Sequence, residues 1–116
     1  MFAERLVKTI RRTRARWEAS AGLRRVSGSP GAGPLAFAVV RNEMLRLPRF
    51  LDHYRGLGVS GFVIVENNST DATREFLASQ NDVCLYATAQ SFIAKEAWLD
   101  CLLRRHGRGR WCLVVD

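Results

Sequence analysis

The stretch that decides the fold is LAFAVVRNEMLRLPRFLDHYRGLGVSGFVIVENNSTDAT, residues 35–73. Its first six residues form a short apolar run of the kind that a buried strand requires. Apolar residues then recur every three or four positions, which predicts an amphipathic helix over 47–57 with Pro48 in its first turn and Gly58 as its C-terminal cap. GFVIV, residues 61–65, predicts a second strand. A strand, a helix and a strand in this order indicate a parallel pair with a crossover helix.

The same alternation continues along the chain. The sequence predicts a second helix over 74–79, a third strand over 82–87, a third helix over 91–105 and a fourth strand over 110–116. We therefore expect an α/β fold of three layers, with a mostly parallel sheet and crossover helices. A sheet that ends on a buried strand leaves an edge unprotected, so we expect the chain to be part of something longer.

Residues 1–34 differ in composition from the rest. Of the net charge of +7, +6 lies in residues 1–34 and +1 in residues 35–116. Apolar residues among the cations of residues 2–25 predict, in part, an amphipathic basic helix, which can lie on anionic lipid, bind acidic partners or remain a solvated tail. SGSPGAGP, residues 27–34, predicts a linker, so the domain is expected to begin near Leu35. Because the folded part is close to neutral, no nucleic-acid partner is expected.

Cysteine usage and hydropathy bear on the cellular compartment. Cys84, Cys101 and Cys112 are odd in number, have apolar neighbours and lack a CxxC spacing, which predicts buried free thiols. The sequence shows neither an apolar run of bilayer length nor the pattern of a secretory signal peptide. We expect a cytoplasmic protein that the basic segment can hold, peripherally, at the inner face of the membrane.

Polar residues are concentrated in VENNSTDAT, residues 65–73, where the second strand ends. Ser69 or Thr70 as the N-cap of the next helix, with Asp71 in its first turn, would account for half of them. Capping does not account for the acid and two amides at 66–68. In open α/β sheets the loops beyond the carboxyl ends of the strands form the ligand crevice, so these residues predict recognition of a ligand.

The segment VVRNEMLRLPRFLDHYRGLGVSGFVIVENNSTDAT, residues 39–73, resembles the opening of the family 2-like glycosyltransferases with a GT-A fold. In that family the first strand ends in K/R-N-E, a helix with L-P-x-(F/W)-L-x-(H/Y) follows, and the second strand leads into a D-N-x-S-T-D-x-T type loop. WCLVVD, residues 111–116, resembles the strand that delivers the D-x-D metal motif, of which only the first acid is present, as Asp116. The resemblance covers residues 35–116 and implies the N-terminal, nucleotide-sugar-binding half of a GT-A, Rossmann-like fold.

The resemblance implies transfer of a sugar from a nucleotide-diphosphate donor to an unknown glycan, lipid or protein acceptor. It also implies a divalent cation, Mn or Mg, held by Asp116, and a hard dication does suit a site shared between carboxylate and phosphate oxygens. The alternative for Asp116 is a carboxylate without function, because its partner acid is absent. An inverting transferase needs a base, which in this family lies well downstream of D-x-D. No catalytic residue can therefore be assigned, and we expect the chain alone to bind a donor weakly and not to turn over.

The resemblance also implies a set of substrate-binding residues: Val40, Arg41, Glu43, Glu66, Asn67, Asp71 and Lys95. The first three match the end of the family's first strand, where backbone and carboxylate approach the nucleoside. Glu43 can instead cap the helix that follows.

The other four matches lie further along the chain. Glu66 and Asn67 match paired acids that contact uracil or ribose, and an amide in place of the second acid can still both donate and accept hydrogen bonds. Asp71 matches the last acid of the loop, with a charge at a helix N-terminus as its alternative. Lys95 matches a basic residue that faces the donor, with an exposed helix lysine as its alternative.

Two other classes of function stay open. One is a non-catalytic nucleotide-binding or regulatory α/β domain, although the chain has no G-x-G-x-x-G after its first strand and no Walker-type loop. The other is a module whose basic N-terminus docks on an anionic membrane or on nucleic acid, an activity that can coexist with sugar transfer.

Overall fold

The computed structural model describes residues 20–115 of the chain. From residue 35 onwards strands and helices alternate along these residues. Their bounds in chain order are β1 (Arg24–Ser27), β2 (Leu35–Val40), α1 (Leu47–Gly56), β3 (Gly61–Asn67), α2 (Thr73–Ala78), β4 (Val83–Thr88), a 3-10 helix (Phe92–Ala94), α3 (Lys95–His106) and β5 (Cys112–Val114). Most of the basic helix predicted within residues 2–25 lies outside the described residues, as does Asp116.

The strands form one sheet in the order β1-β4-β3-β2-β5. β2 pairs parallel with β3 and with β5, β3 pairs parallel with β4, and only β1 is antiparallel to its neighbour β4. The connections from β2 to β3 and from β3 to β4 contain α1 and α2, because parallel neighbours need a long crossover. The predicted α/β fold with a mostly parallel sheet is thereby confirmed, in a form compatible with a Rossmann-like fold.

β3 lies at the centre of the sheet, and all seven of its residues are buried. Since successive side chains of a strand point to opposite faces, Phe62 and Ile64 pack with the apolar residues of α1 and α2. Val63 and Val65 pack instead with those of α3. The sheet therefore has helices on both faces, which gives the three layers predicted from the sequence. Full burial of each such side chain stabilises the fold by about 1.5–3 kcal/mol.

The strand β1 was not predicted, because residues 24–27 fall in the stretch interpreted as extension and linker. Its four residues are RRVS, and only Val26 packs against the core. The strand forms because the edge of β4 offers backbone partners, which pair Arg24 with Ala87. Gly28 ends it at φ +77°, where a Cβ atom would lie 1.9 Å from the carbonyl oxygen of Val83. A long-range pairing of this kind leaves little trace in a local apolar pattern.

The other elements lie close to their predicted positions. α1 covers Leu47–Gly56, and Gly58 follows it with φ +100°, as expected of a glycine after a helix end. The helix predicted over 91–105 is divided into the 3-10 helix and α3, and the strand predicted over 110–116 narrows to Cys112–Val114.

The state of the cysteines and the hydropathy of the helices can be compared with the sequence predictions. None of the three cysteines forms a disulfide bond, as predicted, although only Cys84 is fully buried. None of the helices between residues 20 and 115 combines the length and the hydropathy of a membrane span.

One ion pair joins the end of α1 to the start of β4. Arg55 donates two hydrogen bonds to the carboxylate of Asp82, each of 2.8 Å, and a third to the side chain of Gln80. The side chains of Arg55 and Asp82 are 33% and 26% exposed. The hydrogen bond from Arg55 lowers the pKa of Asp82 below its ordinary value of 3.8, and partial burial opposes this effect. This two-pronged contact holds the first crossover helix against the sheet.

We expect Asp82→Asn to lower the free energy of unfolding by about 1–3 kcal/mol, because it removes the charge from a paired hydrogen bond. Since the pKa of Asp82 is depressed in the folded state, its contribution is fully present above the ordinary pKa of 3.8 and is lost as the pH falls through the folded value. Urea unfolding of the original chain and of Asp82→Asn over a pH series measures the difference in the free energy of unfolding, which should shrink towards zero in acid.

Asp52→Asn is the matched control for that measurement. Asp52 also contacts Arg55, at 3.3 Å, but its side chain is 79% exposed. Its removal should cost less than about 0.5 kcal/mol. Equal losses in the two variants would contradict the distinction drawn between them.

Candidate functional site

The parallel strands end together at one edge of the sheet. In the backbone pairing Val40 lies beside Glu66, which in turn lies beside Ala87. The chain builds the sheet outwards from β2 to β3 to β4 and then returns through α3 to place β5 on the other side of β2. The strand order therefore reverses between β2 and β5, and ligands of open α/β sheets bind beyond the carboxyl ends at such a reversal.

The two loops that leave this edge, residues 41–46 and 68–72, are tied together by the side chain of Asn42. Its Oδ1 accepts hydrogen bonds from the backbone N–H of Thr70 at 2.7 Å and of Asp71 at 3.3 Å. Its own backbone N–H donates to Oγ of Ser69 at 2.9 Å. Asn42 adopts φ +50°, a left-handed conformation that asparagine tolerates better than most residues.

A second set of hydrogen bonds closes the tie. The backbone N–H of Glu43 donates to Oγ1 of Thr73 at 3.0 Å, and that of Met44 donates to Asp71 at 3.4 Å. Asp71 also accepts from the backbone N–H of Thr73 at 2.9 Å. The pKa of Asp71 is held below its ordinary value chiefly by the Thr73 side chain, with these N–H groups adding to the effect. Asp71 therefore organises the two loops.

The predicted N-cap at Ser69 or Thr70 is wrong. α2 begins at Thr73, its N-cap is Ala72, and no side chain caps it there. The hydroxyls of Ser69 and Thr70 instead form hydrogen bonds with Asn42 in the other loop, so they are not available to cap α2. Glu43 does not cap α1 with its side chain either: its backbone carbonyl accepts from Leu47, and its carboxylate lies 4.0 Å from Nε of Arg46.

Glu66 is a buried acid at the end of β3, with only 2% of its surface exposed. Its Oε1 accepts a hydrogen bond from the backbone N–H of Ser69. The residue borders a recess of about 220 Å³ whose lining includes Arg24, Arg74 and Asn68. A buried carboxylate beside two guanidinium groups suits a ligand that both donates and accepts hydrogen bonds.

Asn67 points to the opposite face of the sheet from Glu66, because the two are adjacent in one strand. Its amide nitrogen donates to the backbone carbonyls of Thr88, at 3.3 Å, and Gln90, at 2.9 Å. The two residues that were expected to contact a ligand together are thus separated by the sheet. An aspartate could not donate these hydrogen bonds, which explains the amide at this position.

A second recess, of about 150 Å³, lies at the reversal of strand order. It is bordered by Val40, Glu43, Arg46, Phe50 and Val115 together with neighbouring residues of β2 and α1. Two of the predicted site residues, Val40 and Glu43, therefore lie together. The carboxylate of Glu43 and the guanidinium of Arg46 are the charged groups of an otherwise apolar wall.

The remaining predicted residues lie outside both recesses. Arg41 is exposed on its loop. Lys95, the first residue of α3, is half-buried, with its Nζ 5.4 Å from the centre of the Phe92 ring, on the side of the sheet that faces away from Glu66. Arg24 and Arg74, by contrast, border the first recess and were not predicted. Nothing in the local sequence marks Arg24, since it reaches the site through β1.

Residues 20–115 contain no group of three His, Cys, Asp or Glu side chains placed to hold a metal ion. The fit of a dication therefore depends on Asp116, the residue after Val115. The backbone N–H of Val115 donates to the carbonyl of Phe37 at 2.9 Å, which holds the chain against β2 just before the acid.

Comparison of the chain with protein-family models, with curated proteins and with solved structures gives no match.

We expect Asn42→Gly to lower the free energy of unfolding by about 1 kcal/mol, because the acceptor for two backbone N–H groups is lost. Asn42→Ala should cost roughly 1–2 kcal/mol more, since alanine is strained at φ +50° and glycine is not. Urea unfolding measures both changes.

Asn68 supplies the control, because it has φ +54° and its side chain forms no hydrogen bond with the described residues. Asn68→Gly should cause no loss of stability. A loss as large as that of Asn42→Gly would show that the hydrogen bonds of Asn42 contribute nothing.

Proposed function

We propose that this chain is the donor-binding part of a GT-A type glycosyltransferase, which holds a nucleotide-diphosphate sugar at the carboxyl edge of its parallel sheet. One observation carries the proposal: the reversal of strand order between β2 and β5 lies where Val40, Glu43 and Val115 border one recess. Asp116 is the next residue of the chain. This is the position at which open α/β sheets bind nucleotides.

The first recess supports binding of the nucleoside. The carboxylate of Glu66 is held by one backbone N–H through Oε1, and its Oε2 makes no hydrogen bond with residues 20–115. A carboxylate oxygen of this kind, at the border of a recess, is a strong acceptor for an imide N–H or a ribose hydroxyl. Arg24 and Arg74 supply donors for carbonyl oxygens of a base.

The second recess supports binding of the diphosphate and sugar. Val40 and Glu66 are side by side on adjacent strands, about 4.8 Å apart in the pairing direction. One nucleotide is long enough to reach from Glu66 to the recess beside β5. There Arg46 is an exposed cation that can meet a phosphate, and Glu43 can accept from a sugar hydroxyl.

A divalent cation, Mn or Mg, would neutralise charge on the diphosphate leaving group when bound by Asp116. Within residues 20–115 Glu43 is the acid that borders the same recess. The acceptor of the sugar, whether glycan, lipid or protein, has no assigned residues in this part of the chain.

A non-catalytic nucleotide-binding domain is the second candidate. Two of the acids at this edge have contacts within the chain: Asp71 binds loop N–H groups, and the carboxylate of Glu43 lies 4.0 Å from Nε of Arg46. A general base must take the proton from the acceptor hydroxyl, and an acid engaged in such contacts is less available for that role. This observation favours binding without transfer by the chain as it stands.

Calorimetric titration of the 116-residue chain with UDP-sugars and GDP-sugars, with and without Mn, tests the proposal. We expect weak binding of one donor class that strengthens with Mn. Asp116→Ala should abolish the effect of Mn, and Glu66→Gln should weaken binding by about tenfold or more, because a charged acceptor becomes neutral.

Glu75→Gln is the control, because Glu75 is an exposed acid on α2 outside both recesses. It should leave the affinity unchanged. If the affinity for the donor changes neither with Mn nor in Asp116→Ala, the result would favour the non-catalytic nucleotide-binding domain over the transferase. Absence of binding to every donor would overturn both.

A further inference from the structure

The end of α3 and the loop after it carry the sequence RRHGRGR, residues 104–110. Arg104 is paired with Asp100 at 3.2 Å. Arg105, Arg108 and Arg110 have no carboxylate partner among the described residues. Three guanidinium groups on six consecutive residues, with no counter-charge from residues 20–115, repel one another, and an anionic partner would relieve that repulsion.

Arg25 joins this group from the neighbouring edge of the sheet. It lies opposite Tyr86 in the pairing of β1 with β4, and Arg105 donates to the Tyr86 hydroxyl at 3.4 Å from the other side. The same hydroxyl lies 2.8 Å from Nε2 of His106. Burial first, and then repulsion from Arg25, Arg105 and Arg110, lowers the pKa of His106. Arg25, Arg105 and Arg110 thus act on one imidazole. Together with the exposed Arg108, which lies between Arg105 and Arg110 in the chain, they are named the arginine surface.

Ser20, which follows the basic N-terminal segment in the sequence, contacts the arginine surface. Arg105 donates to Oγ of Ser20, the first described residue, at 3.4 Å. Residues 1–19 contain six Lys or Arg and two Glu. This basic stretch of sequence therefore directly precedes a residue that contacts the arginine surface.

A tryptophan distinguishes among anionic partners. Trp111 follows the arginine surface directly and is 85% exposed, although tryptophan is one of the most buried residues on average. Arginine beside an exposed tryptophan is typical of proteins that lie at the interface of a membrane, where the ring sits at headgroup depth. The N-terminal segment shows the same mixture, with Phe2, Leu6 and Ile10 among its cations.

From this placement we infer that the α3 side of the domain is a docking surface for an anionic phospholipid membrane, in which the arginine surface binds lipid phosphates and Trp111 enters the headgroup layer. The inference does not depend on the proposed function. It assigns membrane contact to folded residues of the domain, whereas the sequence pointed only to the N-terminal segment.

Sedimentation of the 116-residue chain with vesicles tests the inference. The vesicles contain phosphatidylcholine alone or with about 30% phosphatidylserine, at about 0.05 M and about 0.3 M salt. We expect binding to the anionic vesicles only, reduced at the higher salt. Arg105→Gln with Arg108→Gln should reduce it about tenfold or more, since each cation near such a surface contributes roughly a factor of five.

Arg46→Gln with Arg49→Gln is the matched control, because it removes the same charge from exposed positions in and before α1, on the other face of the sheet. It should leave vesicle binding within about threefold of the original. Arg108→Gln alone guards against misfolding, since the side chain of Arg108 is exposed and forms no hydrogen bond or ion pair with the described residues. Its effect should be about fivefold.

Trp111→Ser separates a membrane from other polyanions. It leaves the charge unchanged and should weaken vesicle binding, while binding to a short DNA duplex should be weak and indifferent to the change. Equal losses in the arginine variants and their control would overturn the inference. So would vesicle binding that is indifferent to Trp111→Ser, or binding to the duplex that exceeds binding to anionic vesicles.

Discussion

The parallel pairing of β2 with β3 is the constraint on which the rest of the structure depends. Six consecutive residue pairs, from Leu35 with Gly61 to Val40 with Glu66, align the two strands without a slip. A shift of one residue would turn the apolar residues of β3 towards the wrong helices. It would also separate the loops that Asn42 joins. The register therefore sets both the core and the edge at which a ligand can bind.

The polar residues at that edge fall into two groups: most form hydrogen bonds that hold the loops, and Glu66 can in addition bind a ligand. Asn42, Ser69, Asp71 and Thr73 satisfy, with their side chains, backbone N–H groups of two loops that have no strand or helix of their own to pair with. Such groups would otherwise need water, which would leave the loops free to move. Glu66 differs because it is buried and has an oxygen left over. A rigid edge with one buried acceptor is better preorganised for recognition than a mobile polar loop.

The sequence predicts those parts of the fold that arise from local periodicity. The strands at Leu35–Val40 and Gly61–Asn67 and the helix between them have apolar patterns that no other structure satisfies as well. It does not predict β1, whose residues pair only because β4 presents an edge. The site is less predictable for the same reason: alternation in a strand already implies that Glu66 and Asn67 diverge, but the use of Ser69 and Thr70 depends on a loop 27 or 28 residues away.

Successive side chains of a strand point to opposite faces of the sheet, which separates Glu66 from Asn67. The same rule separates the recess of Glu66 from the arginine surface, the two places for which functions are proposed. Glu66 and the helices α1 and α2 belong to one face of the sheet, while Tyr86 and α3 belong to the other. A membrane bound along the arginine surface would therefore contact the layer opposite the recess of Glu66. A sugar nucleotide could enter from water while the protein stays on the bilayer. An acceptor carried by a lipid would be brought to the sheet edge from the opposite side, so the two bound molecules need not compete for one opening.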